Sequence, residues 1–556
     1  MDKKPQQGKT QGFDKKFDKN ARPAGRFGGK AGDRPGRSFD KKDGKPAFGK
    51  PAGKPGFGKP AGKSFGKPGD GKRSFGEGKP SQGSYGKPMD RKPLPRDTRP
   101  VPAEKKPDPD LPSTNSRKVA LEIFQDVIRK DAYAALSLDD RLSQANLTQL
   151  DKRFCASIVY RTLENLIRID YALSFFLKDA EGLEPAVRDI LRISACQLLF
   201  HDRIPANAVV DEAVKLTRNL GMEGLTGLTN AVLRAMVRGR DEIKWPSPEE
   251  GAHYLSIMYS VPEWLAEKLL AAYGPETARE ICAYRNQQHF TTIRPNLIQF
   301  TDEAFEEILK KKVWEWEKGA VPHAYRVRMA SEIARDADYL SGNFSIQGES
   351  SMLAAQALDV KRGMQVLDCC AAPGGKTGYL AELMQGTGRV YAWDLHEHRV
   401  TLIKAMMKRL KIENVRPVVR DASVLKEELV SSMDAVLLDA PCSGLGVMDN
   451  KPDIKQRATA EGVKELALVQ EKLIDTCCRY VKRGGTFVYS TCSMLPEENC
   501  DQVKKFLEKH PEFEIAPLPS SFDAKFKALY TENGLQLLPH RDGVEGFFIA
   551  RMRRVK

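Results

Sequence analysis

Two cysteines in the C-terminal half of the chain directly follow apolar segments and are candidates for nucleophilic chemistry. Cys442 lies in the run DAPCSG at 439–444, and Cys492 lies in the run YSTCS at 489–493. A cysteine thiolate can add to C6 of cytosine, which activates the otherwise poorly nucleophilic C5 for methylation. Two thiols in one site allow one to attack while the other helps to resolve the adduct. Either cysteine alone is better interpreted as a buried structural residue, so the prediction depends on both lying beside a cofactor site.

A glycine-rich turn follows an apolar strand predicted over 365–368 and precedes a helix predicted over 377–384. The turn consists of Ala371, Ala372, Pro373, Gly374, Gly375 and Lys376. Its two glycines let a ligand approach the backbone closely, and a helix N-terminus favours negative charge. The spacing is neither the G-x-G-x-x-G dinucleotide fingerprint nor that of a P-loop. The turn therefore indicates a cofactor site without defining the cofactor.

Asp394 ends the next predicted strand, over 389–394, and lies 19 residues beyond Gly375. An acid at this position commonly binds the ribose hydroxyls of an adenosine-containing cofactor. On these residues alone, S-adenosylmethionine and NAD remain comparable. The thiol chemistry separates them, because an NAD-dependent oxidoreductase would leave Cys442 and Cys492 without a role.

The elements that would position these residues alternate between strand and helix from about residue 348 onwards. Further strands are predicted over 415–420, 435–438 and 486–491, and further helices over 399–411 and 462–481. This order predicts a doubly wound parallel sheet, on which ligands bind outside the carboxyl ends of the strands. The residues at those ends are Asp368, Cys369, Cys370, Asp394, Asp421, Asp439, Cys442 and Cys492. Acids and thiols are therefore expected to meet in one crevice.

Upstream of the alternating region, apolar residues recur at three- and four-residue spacings from 117 to about 240, which predicts helices throughout. One such run covers 151–176. Polar residues at 113–116 offer N-cap chemistry for the first helix. Further helices and a small α/β module follow, with strands over 291–294 and 324–327 around a helix over 302–311. We predict an all-α domain over 113–245, linker helices with the small module over 246–346, and an α/β domain over 347–556.

The first 112 residues form a basic tail rich in glycine, proline and lysine. Residues 1–110 carry 29 lysines and arginines against 13 acidic residues, a net charge of +16, whereas the remaining 446 residues carry 60 basic and 61 acidic side chains. A segment with so few apolar residues cannot offset its chain entropy by burial, so we predict that the tail over 1–112 is disordered. Repeated FGKP-like units combine aromatic rings with positive charge, which favours loose contact with RNA.

The rest of the composition excludes several classes of protein. No run approaches the length of a membrane span and no apolar signal segment begins the chain, so we expect a cytoplasmic location. The ten cysteines include no C-x-x-C pair, which argues against a structural zinc site and for free thiols. His396 and His398 stand two residues apart at a predicted helix start, where they do not share a face, so no metal site is predicted.

Several of these motifs together resemble the Nop2/Sun (Fmu) family of RNA cytosine-C5 methyltransferases. The runs that carry the resemblance are those at 368–377, 439–444, 490–493 and 496–499, together with QGESS at 347–351 and the segments at 538–540 and 546–548 that resemble a closing hairpin. Segments IPAN at 204–207 and GLTNAVLR at 227–234 resemble the NusB-like helical domain of the RsmB branch. The resemblance covers about 115–556 and leaves out the tail, which is not part of the usual pattern.

The resemblance implies a NusB-like RNA-binding domain and a Rossmann-like methyltransferase domain that modifies a cytosine in small-subunit ribosomal RNA. It implies that S-adenosylmethionine is bound by Cys370, Ala371, Ala372, Pro373, Gly374, Gly375, Lys376, Asp394, Asp421 and Asp439. Cys492 would be the nucleophile and Cys442 the thiol that assists product release. Asp439 and Lys376 would lie near the cytosine and assist its protonation changes. We expect a monomer whose partner is RNA, without a membrane or a metal.

Two alternatives to this reading stay open at the level of sequence. A relative that acts on tRNA would share the catalytic motifs, although a NusB-like front end favours ribosomal RNA. A non-enzymatic RNA-binding or antitermination-like protein would use only the helical domain, but the intact Cys442, Cys492, Lys376 and Asp439 argue against a decayed catalytic half.

Overall fold

The computed structural model describes residues 115–179, 182–285, 290–328 and 333–556. The predicted disorder of the tail and its expected contact with RNA lie outside these residues. Within them, no helix combines the length and the apolar character needed to cross a membrane.

The N-terminal part of the described chain is entirely helical. Its helices are α1 (Ser116–Lys130), α2 (Ala134–Gln144), α3 (Gln149–Glu164), α4 (Leu166–Ser174), α5 (Pro185–Phe200), α6 (Ala206–Asn219) and α7 (Thr226–Gly239). Helix α1 begins where predicted because the Asn115 side chain accepts hydrogen bonds from the amides of Arg117 and Lys118. The helices enclose one apolar core that includes Phe124 and Ile158.

Two features of this helical region differ from the prediction. The single run expected over 151–176 is divided into α3 and α4 at Asn165, whose side chain donates to the Arg161 carbonyl at 2.9 Å. An asparagine that bonds nearby backbone groups in this way competes with helix continuation. Helix α2 lies within the region predicted to be helical throughout, but its bounds were not predicted, because only Ala134 and Leu138 of its residues are buried and its apolar pattern is correspondingly weak.

The middle of the described chain combines four helices with a small antiparallel sheet. Its elements are α8 (Ala252–Tyr259), α9 (Glu263–Ala283), β1 (Thr291–Pro295), α10 (Asp302–Lys310), β2 (Glu315–Lys318), β3 (Tyr325–Arg328), α11 (Ala337–Leu340) and β4 (Phe344–Ile346). Helix α9 is interrupted at Gly274, which has a φ of 75°. The strand order is β2-β3-β1-β4. The prediction found β1, β3 and α10 but neither β2, which is largely exposed, nor β4, which has only three residues.

The C-terminal part is an α/β layer structure around a second sheet. Its elements are α12 (Glu349–Gln356), β5 (Gln365–Asp368), α13 (Gly375–Leu383), β6 (Arg389–Asp394), α14 (Glu397–Leu410), β7 (Val415–Val419), β8 (Met433–Asp439), α15 (Ile454–Arg457), α16 (Ala460–Cys477), β9 (Val481–Thr491), α17 (Cys500–Lys509), β10 (Phe513–Ile515), α18 (Ala524–Leu529), β11 (Leu535–Leu537), α19 (Pro539–Asp542) and β12 (Phe547–Arg554). The predicted fold class, helical domain followed by a small module and a Rossmann-like domain, is confirmed.

The strand order of the large sheet is β10-β12-β9-β8-β5-β6-β7, and β11 pairs with the outer side of β12. Strands β5 to β9 are parallel as predicted, but β12 runs antiparallel to β9, β10 and β11, so the sheet is mixed. Only nine residues separate β11 from β12, too few for the crossover that a parallel pair requires. Strand β5 is followed on one side by β6 and on the other by β8, so the topological switch point lies between β5 and β8.

The long helix predicted over 462–481 ends earlier, at Cys477, and β9 already begins at Val481. The strand passes through Gly484, which has a φ of 78°, and Gly485, where an added Cβ would lie 2.9 Å from the Asp434 carbonyl oxygen. Glycines in a strand allow such close backbone approach. Gly484 and Gly485, which precede the strand predicted over 486–491, are therefore part of β9.

The segment that follows Cys442 is attached to the helical region. The Lys455 ammonium donates to the Glu164 carbonyl at 2.8 Å, and Gln456 donates to the Leu163 carbonyl at 3.5 Å. These carbonyls end α3, where acceptors lack intrahelical partners, although burial lowers the pKa of Lys455 to about 7. Residues 442–457 therefore connect the crevice of the large sheet directly to the helical region.

Gly446 lies at a backbone crossing beside Cys492. Its amide donates to the Cys492 carbonyl, and its own carbonyl accepts from the Gly546 amide, both at 2.9 Å. A Cβ at Gly446 would lie 2.0 Å from the Gly546 carbonyl oxygen and 2.9 Å from that of Cys492. Only glycine permits the three segments to meet this closely.

We expect Gly446→Ala to lower the free energy of unfolding by about 1–3 kcal/mol, because the added methyl group forces these backbones apart. Urea unfolding followed by tryptophan fluorescence measures the change. The matched control is Gly227→Ala on α7, where nothing lies within 4 Å of an added Cβ; helix propensity there makes alanine neutral or stabilising by up to about 1 kcal/mol. Equal stability of Gly446→Ala and wild type would contradict the crossing.

Candidate active site

The two cysteines singled out by the sequence meet at the carboxyl ends of adjacent strands. Strands β8 and β9 are parallel, and their register pairs Asp439 with Ser490. Both segments leave the sheet just beyond this pair, at the same edge. The Sγ atoms of Cys442 and Cys492 lie 3.2 Å apart there. Both cysteines are half-buried and all ten cysteines of the chain are free thiols. The geometry is that of a dithiol in a single crevice.

The surroundings make the two sulfurs chemically unequal. The hydrogen bond from the Cys442 thiol lowers the pKa of Cys492, and the positive charges of Lys376 and Lys451 act in the same direction against burial and Asp439. The same hydrogen bond, together with burial, raises the pKa of Cys442 well above its ordinary value. Cys492 is therefore the sulfur that is more readily ionised, which is the property of a nucleophilic thiol.

A half-buried ion pair lies beside the dithiol. The Lys376 ammonium is 2.8 Å from Oδ2 of Asp439, and the Ser490 hydroxyl donates to Oδ1 of the same carboxylate at 2.8 Å. Burial disfavours the ammonium, but Asp439 and Cys492 outweigh it and raise the pKa of Lys376. The pair thus supplies a stable positive charge and a carboxylate next to Cys492.

The glycine-rich turn lies at the end of β5, as predicted. Gly374 precedes α13 with a φ of 110°, a conformation that other residues rarely adopt. The Ala372–Pro373 peptide is cis, the Ala371 amide donates to the Trp393 carbonyl, and burial raises the pKa of the Cys370 thiol. Cys370 is therefore a protonated thiol in the wall of the crevice.

Arg294 is a residue of this region that sequence reasoning missed. It lies on β1 and is fully buried, with its guanidinium 4.5 Å from the Tyr379 ring and paired with the buried Glu382. One of its nitrogens donates to the Gly375 carbonyl at 3.3 Å. An arginine inside an otherwise uncharged strand was the available signal. Arg294 ties the small antiparallel sheet to the start of α13.

Three further acids line the crevice. The Asp368 carboxyl is buried and accepts from the Thr377 hydroxyl at 2.6 Å, while its Oδ1 has no hydrogen-bond partner in the described chain. Asp394 is buried and accepts from the Ala372 amide, and Asp421 lies exposed at the end of β7. Next to Asp394, the Leu395 side chain is 56% exposed.

These residues fit a cofactor that combines an amino acid with a nucleoside. The orphaned carboxyl oxygen of Asp368 suits an ammonium group, Asp394 suits ribose hydroxyls, and Leu395 offers an apolar surface for a base. The sequence did not indicate Leu395, since an isolated leucine after a strand carries no signal.

The crevice has no resemblance to a metal centre. Across the four described ranges, no group of three or more histidine, cysteine, aspartate or glutamate side chains could hold a metal ion. The rings of His396 and His398 stack with centroids 5.6 Å apart at the start of α14, on the exposed surface.

Three family profiles match consecutive parts of the chain. The profile for the 16S rRNA methyltransferase RsmB/F matches residues 355–553. The NusB family profile matches 114–238, and the profile for the ferredoxin-like domain of RsmF/B-like methyltransferases matches 261–334. The three profiles correspond to the helical region, the region that includes part of the small sheet, and the large sheet.

Named relatives match the chain over most of its length. It is 35% identical over 443 residues to the probable ribosomal RNA small subunit methyltransferase B of Bacillus subtilis (strain 168), covering 79% of this chain and 99% of that protein. It is 31% identical over 448 residues to ribosomal RNA small subunit methyltransferase B of Pectobacterium atrosepticum, with the same coverage. The crystal structure of PH0851 aligns with a TM-score of 0.68 at 27% identity, covering 80% of this chain and 99% of that one.

Burial, reinforced by Asp439 and Asp394 and opposed by Thr377, raises the pKa of Asp368 to about 7. Between its ordinary pKa and 7 the folded protein holds a proton that the unfolded chain lacks, so this contribution to stability is lost as the pH rises through 7. We expect Asp368→Asn to gain stability relative to wild type from pH 4 to 7.5, by at most about 1.4 kcal/mol per pH unit.

Urea unfolding of both proteins across this pH range measures the difference. Asp421→Asn is the control, because the hydrogen bonds from Ser423 lower the pKa of the exposed Asp421. Its contribution to stability is fully present above the ordinary pKa of 3.8 and is lost only as the pH falls below that value. The pH profile of Asp421→Asn should therefore run parallel to that of wild type from pH 4 to 7.5. Parallel pH profiles for Asp368→Asn and wild type would rule out an elevated pKa at Asp368.

Proposed function

The chain belongs to the 16S rRNA methyltransferase RsmB/F family, and we propose that it transfers a methyl group from S-adenosylmethionine to C5 of a cytosine in small-subunit ribosomal RNA. The observation that carries the proposal is the Cys442–Cys492 contact of 3.2 Å beside the Lys376–Asp439 pair. Methylation at C5 needs a nucleophile at C6, and the more readily ionised thiol of this dithiol meets that need.

We assign S-adenosylmethionine to the crevice between β5 and β8. The residues assigned to it are Cys370, Ala371, Ala372, Pro373, Gly374, Gly375, Lys376, Asp394, Asp421 and Asp439, to which the structure adds Asp368 and Leu395 as candidates. When bound, the cofactor supplies an electrophilic methyl group on a sulfonium. The unpaired Oδ1 of Asp368 supports the assignment, since it is an acceptor that a cationic ligand would satisfy. Asp394 is held in place by the amides of Ala372 and His396, and each of its carboxylate oxygens can accept a further hydrogen bond from a hydroxyl-bearing ligand.

We assign the attack on the substrate to Cys492. Its thiolate forms a bond to C6, and the electron pair of the C5–C6 double bond moves into the ring as N3 gains a proton. We assign delivery of that proton to the Lys376–Asp439 pair, which lies beside Cys492. C5 is then electron-rich and takes the methyl group, which leaves a saturated C5–C6 bond with one hydrogen still on C5.

Release requires removal of that hydrogen, and we assign it to Cys442. In the free protein the hydrogen bond to Cys492 is the main cause of the raised pKa of Cys442. Once Cys492 is bonded to C6 it no longer carries the negative charge that holds this proton, so Cys442 becomes easier to ionise. A Cys442 thiolate can take the C5 proton, the C6–sulfur bond breaks, and Cys492 leaves as a thiolate.

The proposed substrate, small-subunit ribosomal RNA, rests on the relatives named as methyltransferases of that RNA and on the NusB-family match over 114–238. We further propose that the predicted domains over 113–245, 246–346 and 347–556 act as RNA-binding, connecting and catalytic units. The net charge of +16 in the first 110 residues would add sequence-independent affinity for phosphates.

Bisulfite sequencing of total RNA from cells with and without the gene tests the function. We expect one cytosine of small-subunit ribosomal RNA to lose its protection in the deletion strain and to regain it with the wild-type gene but not with Cys492→Ala. Loss of bisulfite protection at a tRNA cytosine alone would show that the protein acts on tRNA instead. No change in any RNA would refute the proposed modification.

The unequal roles of the cysteines predict unequal variants. Cys492→Ala removes the attack on C6 and abolishes methyl transfer, whereas Cys442→Ala permits attack and transfer but stalls the elimination. The Cys442→Ala protein should therefore accumulate a covalent complex with RNA, visible as a slow band on a denaturing gel. Trapping by Cys492→Ala instead would reverse the two roles, and full methylation by both variants would refute the thiol mechanism.

A further inference from the structure

A buried carboxylate joins the two cysteine-bearing loops. Glu498 ends the short turn Pro496–Glu498 that follows β9, and its side chain is fully buried. One oxygen accepts from the Ser443 amide at 2.8 Å and from the Gln470 amide group at 3.1 Å. The other accepts from the Ser443 hydroxyl at 2.5 Å and from the Ser493 hydroxyl. No lysine, arginine or histidine of the described chain forms an ion pair with it.

The two serines are the residues that directly follow the two cysteines. Ser443 comes after Cys442 and Ser493 after Cys492, and their hydroxyl oxygens lie 3.3 Å apart on the same carboxylate oxygen. Fifty residues separate the two loops along the chain, so contacts between them must fix their spacing. Glu498 is the group to which both loops are bonded at the position next to the sulfur.

Other contacts hold Glu498 itself in place. The Tyr489 hydroxyl donates to the Glu498 carbonyl at 2.6 Å. The adjacent Asn499 accepts from the Thr491 hydroxyl at 2.5 Å and donates to the Ser493 carbonyl at 3.0 Å. These bonds fix the turn to the end of β9, on the Cys492 side. The carboxylate then reaches across to the Cys442 loop.

We propose that Glu498 is a positioning residue that holds the Cys442 loop against the Cys492 loop and so maintains the contact between the two sulfurs. The role of this contact in methyl transfer rests on the proposed function, but the contact itself does not. Glu498 touches neither sulfur in this arrangement and acts through Ser443 and Ser493.

The chemistry of the donors explains why a carboxylate serves here. Four donors converge on two oxygens, and a carboxylate accepts on both, whereas an amide offers one acceptor and one donor. A buried carboxylate without a cation is costly unless hydrogen bonds replace its hydration. In Glu498→Gln, one side of the network therefore loses its acceptor, while the size of the side chain is conserved.

The closeness of the sulfurs can be measured without RNA or cofactor. Oxidised dithiothreitol converts a nearby pair of thiols to a disulfide by exchange, taking up the two electrons and two protons and becoming reduced itself. The rate at which the Cys442–Cys492 disulfide forms reports how often the sulfurs meet. It is measured in the full chain by alkylation and peptide mass mapping. We expect Glu498→Gln to slow it roughly ten- to a hundredfold, the scale of losing a hydrogen bond to a charged group.

The matched control is Glu497→Gln, one residue earlier. Glu497 is partly exposed and pairs with Lys268 of α9, touching neither cysteine loop. The Cys442–Cys492 disulfide should form in the Glu497→Gln protein at the wild-type rate.

A second readout is the pH dependence of Cys492 alkylation by iodoacetamide. Its midpoint should move upward in Glu498→Gln and stay unchanged in Glu497→Gln, since Cys442 no longer reliably donates to the Cys492 sulfur.

The outcomes separate this inference from the proposed function. A folded Glu498→Gln protein with the wild-type disulfide rate and alkylation profile overturns the positioning role, whatever its methylation activity. Slowed disulfide formation in a protein that methylates no cytosine supports the positioning role and refutes the function. If Glu498→Gln does not fold, the double variant Ser443→Ala/Ser493→Ala is tested by the same two readouts. Slower formation of the Cys442–Cys492 disulfide supports the positioning role, and an unchanged rate overturns it.

Discussion

The contact between the Cys442 and Cys492 sulfurs depends on the parallel pairing of β8 with β9. A register that pairs Asp439 with Ser490 brings two chain segments to the same edge of the sheet, although fifty residues separate them. The sheet alone does not determine how these segments continue beyond the strands. Gly446 permits a backbone crossing beneath Cys492, and Glu498 bonds to the residue after each cysteine. A rigid strand edge and a few buried polar groups thus define a site that could not be built on flexible loops.

The crevice holds several carboxyl groups and a lysine, and their uneven distribution gives each neighbouring thiol a different tendency to ionise. Asp368, Asp394 and Asp439 lie close enough to influence one another, and Lys376 is paired with Asp439. The lysine therefore remains positive and favours a thiolate at Cys492, whereas burial and the shared proton keep Cys442 protonated. The same surroundings leave an unpaired acceptor on Asp368, on the side assigned to the cofactor. Dithiol and cofactor site are thus parts of one electrostatic arrangement.

Short-range patterns predicted the parts of the structure that depend on short-range physics. The bounds of β5 and β6 agree with the prediction, because both strands are apolar runs that end at an aspartate, and the glycine turn lies where its residue types require it. The proximity of Cys442 and Cys492 also followed from the topology of a parallel sheet.

Features that depend on contacts between distant segments escaped prediction. Nothing in the neighbourhood of Arg294 indicates that its partner is Glu382, and nothing near Glu498 indicates that it meets Ser443. The resemblance to a closing hairpin agrees with the antiparallel pair of β11 and β12, but no local pattern indicates that β12 also pairs with β9 and β10. The division at Asn165 depends on a single side-chain hydrogen bond that competes with the helix. The resemblance to a known family supplied the roles proposed for the cysteines, and the structure shows that the surroundings of the two thiols differ.

The central claim is that Cys492 forms a covalent bond to the cytosine that is methylated. The direct measurement is tandem mass spectrometry of the complex formed by the Cys442→Ala protein with small-subunit ribosomal RNA and S-adenosylmethionine, after digestion with protease and nuclease. We expect a peptide that carries a 5-methylcytidine nucleotide on Cys492. A nucleotide attached to a different residue, or an unmethylated adduct with the cofactor present, would contradict it.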